Sequence, residues 1–186
     1  MNKAALMSIR PKWCELIGSG EKTVEIRKTK PNAILPLKCY IYCTKPSFPH
    51  EDFLVFDVGT NKIKAFYGGG KVIGEFVCHN IFPLSFYASE ASFFDTAPPM
   101  DVPGTCLTDQ EIAEYLGNGK TGYGWLISDL VIYDEPKELS EFKRWNRTED
   151  NSPCAHVKFL YEPCESCKEC NLTRAPQSWC YVEELK

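Results

Sequence analysis

Two groups of side chains in this chain of 186 residues have the types and spacing to do chemistry. The first is Gly20-Glu21-Lys22-Thr23-Val24-Glu25-Ile26-Arg27. Strand alternation puts Glu25 and Arg27 next to each other on one face, with Val24 and Ile26 on the other and Lys22 at the entrance. Lys22 and Arg27 could clamp a phosphate there, leaving Glu25 to accept a base amino group or a proton. On an exposed strand the same residues make an ordinary surface pair beside a solvated lysine, which contributes little to stability. Spacing alone leaves both readings open. The second group is Cys164-Glu165-Ser166-Cys167-Lys168-Glu169-Cys170, a C-x2-C-x2-C run. Thiolates at this spacing suit one tetrahedral zinc, which takes four ligands. Cys154 with Cys164, Cys167 and Cys170 is the expected set, and His156 and Cys180 are the other candidates for the fourth place. Four protein ligands leave no open position for water, so the zinc would be structural, a staple for its loop. Reduced thiols or a disulfide between neighbours are the alternative. The run lacks the C-x3-C-P continuation of an iron–sulfur motif.

Aromatic side chains near such a cluster matter because loose bases are held by stacking plus hydrogen bonds to their edges. Trp179 offers a stacking plane beside the amide of Gln177 and the hydroxyl of Ser178. Tyr123 and Trp125 are possible second walls, although a tryptophan inside a long strand belongs more naturally to the core. His50 and His79 have no partners at ligand spacing. The chain carries no G-x-S-x-G elbow, P-loop or dinucleotide fingerprint.

The elements that must position these groups follow from periodicity and punctuation. Residues 4–9 read as a strand, and Pro11 suits the first turn of a helix that presents Trp13, Leu16 and Ile17 on one face before Gly18 and Gly20 end it. Strands are expected at 23–27, 39–43, 63–67, 72–77, 123–133 and 179–182, with Gly68-Gly69-Gly70 as a hairpin turn between the third and fourth of these. Segment 83–107 reads as a long loop. Thr108-Asp109-Gln110-Glu111 is a capping box that opens a second short helix. The chain reads as one domain over 1–186, with 146–174 as a cysteine-rich insertion before the closing strand. The fold class is mainly β (α+β), and a small, mostly antiparallel β-barrel with two or three short helices is the natural way to pack it.

Composition excludes several classes. Hydrophobic residues make up 44% and charged residues 25%, which suits a globular domain and not a disordered or fibrous chain. No apolar run reaches the length of a membrane span, and the early charge and Pro11 do not fit a signal peptide, so a cytoplasmic protein is expected. The net charge of −4 argues against a bulk polyanion binder. Its distribution is uneven: residues 1–45 hold nine Lys/Arg against three Glu, a local +6, and the remainder twelve against 22, a local −10. A basic sector on an acidic body fits a face that meets phosphate, and it also fits a protein complementing its own surface.

Gly20, Lys22, Glu25 and Arg27 match the G-x-K-x-x-E-x-R pattern of the ASCH domain, and the chain resembles that family, particularly its bacterial and phage-associated members. Ser8-Ile9-Arg10-Pro11-Lys12-Trp13, Gly122-Tyr123-Gly124-Trp125-Leu126-Ile127-Ser128-Asp129-Leu130 and Ala175-Pro176-Gln177-Ser178-Trp179 look like further segments of it. The resemblance implies a PUA-like β-barrel whose cleft binds RNA or a nucleotide. Arg10, Lys22, Glu25, Arg27, Gln177, Ser178 and Trp179 are the expected binding residues. It also implies an alternative, since some small proteins resembling the family are amidohydrolases on acylated cytidine that use a lysine, a threonine hydroxyl and a glutamate. There the threonine stands two residues after the motif's Lys-Thr pair, and here that place is Glu25. A hydrolase or ribonuclease built on these residues would use Glu25 as general base and Lys22 to stabilise developing negative charge. A third reading is a protein-interaction module working through the zinc-clipped loop.

Overall fold

The computed structural model describes residues 2–48, 52–57, 63–86, 101–145 and 171–185. The expected zinc ligands Cys154, Cys164, Cys167 and Cys170, together with His50 and His156, lie outside the described residues.

In chain order the elements are β1 (Lys3–Ile9), α1 (Pro11–Gly18), β2 (Val24–Arg27), β3 (Leu37–Cys43), β4 (Phe53–Asp57), β5 (Ile63–Tyr67), β6 (Lys71–Cys78) and β7 (Ile81–Ser85). They continue as β8 (Asp101–Val102), β9 (Leu107–Thr108), α2 (Asp109–Leu116), β10 (Thr121–Leu126), β11 (Ser128–Glu138), one 3₁₀ turn (Leu139–Glu141) and β12 (Trp179–Glu183). The mainly-β class and both helices are as expected. Among the described residues the ladders form a five-stranded sheet, β11-β6-β3-β1-β12, a three-stranded sheet, β2-β10-β7, and two two-stranded ribbons, β4-β5 and β8-β9.

β1 pairs with β3 in parallel and with β12 antiparallel. Being central, it is covered on both faces, which is why Ala4 to Met7 read as an unbroken apolar run instead of an alternation. Ala5, Met7 and Ile9 enter the larger core with Cys39, Ile41, Phe76 and Trp125. Ala4 and Leu6 face a second cluster with Tyr40, Phe142 and Val182. Of the five scattered cysteines that the sequence reads as small buried hydrophobes, Cys14, Cys39, Cys43 and Cys78 are fully buried and Cys106, in the 101–108 hairpin, is exposed; burial pushes the thiols of Cys14, Cys39 and Cys78 up, that of Cys78 to about 11.

Three sequence expectations are corrected by the pairing. β5 and β6 do not form a hairpin across Gly68-Gly69-Gly70; β5 pairs with β4, a strand not anticipated, and β6 lies between β3 and β11. The apolar stretch expected as a single strand over 123–133 is divided at Ile127, with β10 in one sheet and β11 in the other. The region expected as a loop over 83–107 contains most of β7, all of β8 and the start of β9. Hydrophobic period does not give a strand's partner, which accounts for the first error, and 83–107 lacks a steady period, which accounts for the third.

Candidate functional site

The motif strand β2 is an edge of the three-stranded sheet, with Glu25 opposite Trp125 and Arg27 opposite Tyr123. Ile26 packs with Ile112 and Leu116 of α2, which fixes that face inward. By alternation Glu25 and Arg27 turn to the opposite side, away from Ile26. The result departs from a surface ion pair: Lys22, Glu25 and Arg27 are only 2%, 7% and 5% exposed.

Glu25 is the hub. Its Oε1 lies 3.1 Å from Arg27 Nη2 and its Oε2 lies 3.5 Å from Lys22 Nζ. The Lys22 ammonium also donates to the carbonyls of Val24 at 2.9 Å and Thr105 at 2.7 Å. Three donors thus meet three acceptors, the full capacity of an ammonium. Burial lowers the Lys22 pKa from its ordinary value, partly offset by the adjacent Glu25 carboxylate. Arg27 Nη2 donates to the Ser8 carbonyl at 2.9 Å, and Nη1 donates to the Ser178 carbonyl at 3.3 Å and lies 3.5 Å from its hydroxyl. Arg27 Nε is enclosed and has no acceptor.

The hairpin that clamps Lys22 is itself tied to the motif. Thr23 and Val24 both donate their amides to the Gly104 carbonyl at 2.8 Å. Gly104 sits at φ +74°, and a Cβ there would come within 2.4 Å of Thr23 Oγ1, so only glycine fits. Thr105, 1% exposed, closes the turn through its hydroxyl, which donates to the Val102 carbonyl at 2.7 Å and accepts from the Leu107 amide at 3.1 Å.

Above the ion cluster opens a cleft of about 420 Å³. Its lining includes Arg10, Lys22, Glu25, Arg27 and Gln177, five of the residues expected from sequence, together with Ser8, Trp13, Thr44, Glu111 and Tyr115. Ser178 and Trp179 are not part of that lining. Ser178 sits behind it, accepting from Arg27, and Trp179 packs edge-on against Trp125 at 5.4 Å and Tyr181 at 5.1 Å, with its indole N–H on Thr29 Oγ1 at 3.0 Å. Trp125 is fully buried, as a core strand residue should be.

The aromatic walls that sequence reading did not single out are Trp13 of α1 and Tyr115 of α2. Lysines lie over both rings: Lys12 at 4.7 Å and Lys22 at 5.3 Å from the Trp13 centroid, and Lys28 at 5.2 Å from that of Tyr115. With Arg10 and Arg27 on the lining, part of the amino-terminal basic sector gathers here, whereas Lys38 pairs with Glu75 and Glu184 elsewhere. Glu111, also on the lining, serves the capping box, accepting from the Thr108 amide at 2.8 Å. Tyr115 could have been found from its place three residues after Ile112, at the border of the apolar face of α2, where it stays partly exposed.

The fold is similar to that of an ASCH protein. The crystal structure of ASCH from Zymomonas mobilis aligns over 73% of this chain and 73% of its own, at 20% identity and a TM-score of 0.47. A mutant of that protein aligns over 74% of this chain and 77% of its own, at 20% identity and a TM-score of 0.48. No family model and no curated protein matches the chain. Among the described residues no helix is long and apolar enough to cross a membrane.

Proposed function

We propose that the cleft binds RNA or a nucleotide, as the resemblance of the motif to ASCH domains implies. The observation that carries the reading is the buried Lys22–Glu25–Arg27 cluster, two cations against one carboxylate, beneath a cleft of about 420 Å³. A cavity of that size with aromatic and polar walls suits a base with its sugar. Glu25, between two cations, is the acceptor for base N–H groups, and Arg10, Lys12 and Lys28 add positive potential around it. Gln177, Ser178 and Trp179 work as one segment in this reading: Gln177 on the rim, Ser178 fixing the Arg27 guanidinium, and Trp179 fastening the segment to the core. The five- and three-stranded sheets would then be the walls of a PUA-like barrel. The near-continuous passages from β6 to β7 and from β10 to β11 support this, each crossing from one sheet to the other within one or two residues.

The test is to incubate the protein with mixed ribonucleosides, nucleotides and short RNA oligomers and to quantify free, retained and newly formed species by mass spectrometry. Retention without new species, abolished by Arg27→Ala, is the expected result. Absence of any retained species at low salt ends the reading.

A second reading, a hydrolase on a modified nucleoside or RNA, is favoured by one observation: Lys22 has a lowered pKa and lies 3.5 Å from Glu25. Glu25 would take a proton from water and Lys22 would stabilise the charge that develops. No hydroxyl stands at the place of the family's nucleophilic threonine, so water is the attacking group. Loss of one species with a matching product in the same incubation, abolished by Glu25→Gln, is the result that would establish it.

A further inference from the structure

The Lys-x-x-Glu-x-Arg motif brings two cations to the cleft, yet what it leaves open to a ligand is an acceptor. Lys22 spends its three donors on Val24, Thr105 and Glu25. Arg27 spends its terminal nitrogens on Ser8, Ser178 and Glu25, and its Nε is sealed from solvent. Glu25 is different, because a carboxylate offers four acceptor positions, two on each oxygen. Among the described residues Oε1 meets Arg27 Nη2 and Oε2 meets Lys22 Nζ, one cation to each oxygen. Each oxygen therefore keeps one position, on a side chain that lines the cleft and is 10% exposed.

One open position on each oxygen of a fixed carboxylate fits two adjacent, parallel N–H donors. A guanidinium or amidine carries such a pair together with a positive charge, but this carboxylate already faces two cations, and a third charge of that sign is repelled. Among the RNA bases the neutral group with the pair is the Watson–Crick edge of guanine, where the ring N1–H stands beside the 2-amino group. Adenine and cytosine set an amino group beside a ring acceptor, and uracil has a single N–H between two carbonyls. Each of these turns an acceptor toward a Glu25 oxygen, which leaves both groups unpaired. The other carboxylate on the lining, Glu111, has its Oε2 taken by the amide and the hydroxyl of Thr108, so it does not present two open oxygens. The carbonyl O6 that completes the guanine edge needs a donor, and the Gln177 amide lines the same cleft.

We propose that the cleft is specific for guanine, with the two Glu25 oxygens accepting from N1–H and from the 2-amino group. This rests on the nucleotide-binding reading and narrows it to a guanosine nucleotide or an unpaired guanosine in RNA. The guanosine must be unpaired because the edge that Glu25 reads is the one that base pairing covers. Lys22 and Arg27 are then positioning residues, which set the direction of the carboxylate and leave contact with the base edge to it. A site built on such hydrogen bonds rejects an analogue that lacks one of them far more strongly than an apolar pocket does, because its own buried group is left unmet.

The experiment measures the affinity of the full chain for the 5′-monophosphates of guanosine, inosine, 1-methylguanosine, adenosine, cytidine and uridine, by calorimetry at fixed low salt, so that every ligand carries the same sugar and phosphate. Inosine lacks the 2-amino group and 1-methylguanosine lacks the N1–H. The guanosine form should bind tightest, with each analogue about tenfold or more weaker, the loss expected for one hydrogen bond to a charged group. A short oligouridine carrying one guanosine, set against the same oligomer carrying one inosine, distinguishes an RNA from a free nucleotide, and its guanosine-to-inosine ratio decides the proposal where the monophosphates bind too weakly to measure. Glu25→Gln, with folding checked by tryptophan fluorescence, should bring the guanosine and inosine forms within about twofold of each other. Analogues binding within about twofold of the guanosine form, another base binding as tightly, or a preference that survives in folded Glu25→Gln, overturns the guanine assignment and leaves the broader reading standing. Binding of none of these compounds overturns both. The analogue comparison uses the unaltered chain, so it decides the proposal even where the variant does not fold.

Discussion

Replacing Glu25 by Gln keeps the shape of the side chain and removes its charge, which makes it the sharpest probe of the ion cluster. The two cations stand 3.1 and 3.5 Å away. At an effective dielectric of about 20, each contact corresponds to about 5 kcal/mol of Coulomb attraction. Much of this is offset because the variant no longer desolvates a carboxylate, and measured losses on breaking buried pairs are about 3–5 kcal/mol. The exposed Lys71–Glu138 pair, at 3.0 Å with side chains 41% and 60% exposed, is the internal control. Its removal by Glu138→Gln should cost under about 1 kcal/mol despite the equal or shorter distance. Urea unfolding followed by tryptophan fluorescence gives both values, since Trp125 and Trp179 lie in or against the core. A difference of about 3 kcal/mol between the two variants supports a buried, preorganised cluster. A Glu25→Gln variant that loses less than about 1 kcal/mol would refute it, because the cluster would then be solvated and its charge screened from any ligand.

Three further outcomes follow from the same structure. Burial holds the Cys78 thiol up at about 11 from 9.0, so above pH 9 the unfolded chain ionises first. The unfolded state then binds fewer protons, and stability falls between pH 9 and about 11; urea midpoints across that window should fall less steeply in Cys78→Ala. Gly124 in β10 faces Phe82 and Val24, whose atoms would lie 2.8 and 3.0 Å from an added Cβ, so Gly124→Ala should cost about 1–3 kcal/mol and lower the melting temperature. The C-x2-C-x2-C run with Cys154 predicts close to one zinc per chain by elemental analysis, and a metal-free protein that melts unchanged would end the structural-zinc proposal.

The sequence carried the local structure of the site well. Pro11 and the Gly18/Gly20 pair bounded α1, the capping box opened α2, and the alternation at 24–27 placed Glu25 and Arg27 together on the side away from Ile26. What it could not carry was everything that depends on long-range partners. The Gly68-Gly69-Gly70 turn looks like a hairpin loop, but β6 finds β3 and β11 instead. Part of the cover over Lys22 comes from the 101–108 hairpin, whose Thr105 carbonyl, 83 residues along the chain, accepts from its ammonium. Trp13 of α1 and Tyr115 of α2 meet on one cleft only through the tertiary fold. No spacing rule links residues so far apart in the chain.

The division of labour among the cations follows from the same geometry. A lysine and arginine flanking a carboxylate read as a phosphate clamp when only their types are known. With every donor counted, Lys22 is a fastener joining β2 to the 101–108 hairpin, and Arg27 joins β2 to the Ser8 and Ser178 backbones. Both fix Glu25 in place, so the motif's first effect is to hold one carboxylate in a set position under a cleft while supplying net positive potential from below. Contact with a ligand's charge then falls to the residues left uncommitted at the rim, Arg10 and Lys12. On this argument Lys22→Ala and Arg10→Ala must differ in kind. The first releases the hairpin and lowers stability along with binding, because it strands two buried carbonyls and half of an ion pair. The second leaves stability within about 0.5 kcal/mol and changes binding alone. Equal losses of stability in the two variants would mean that the count of donors has been misassigned.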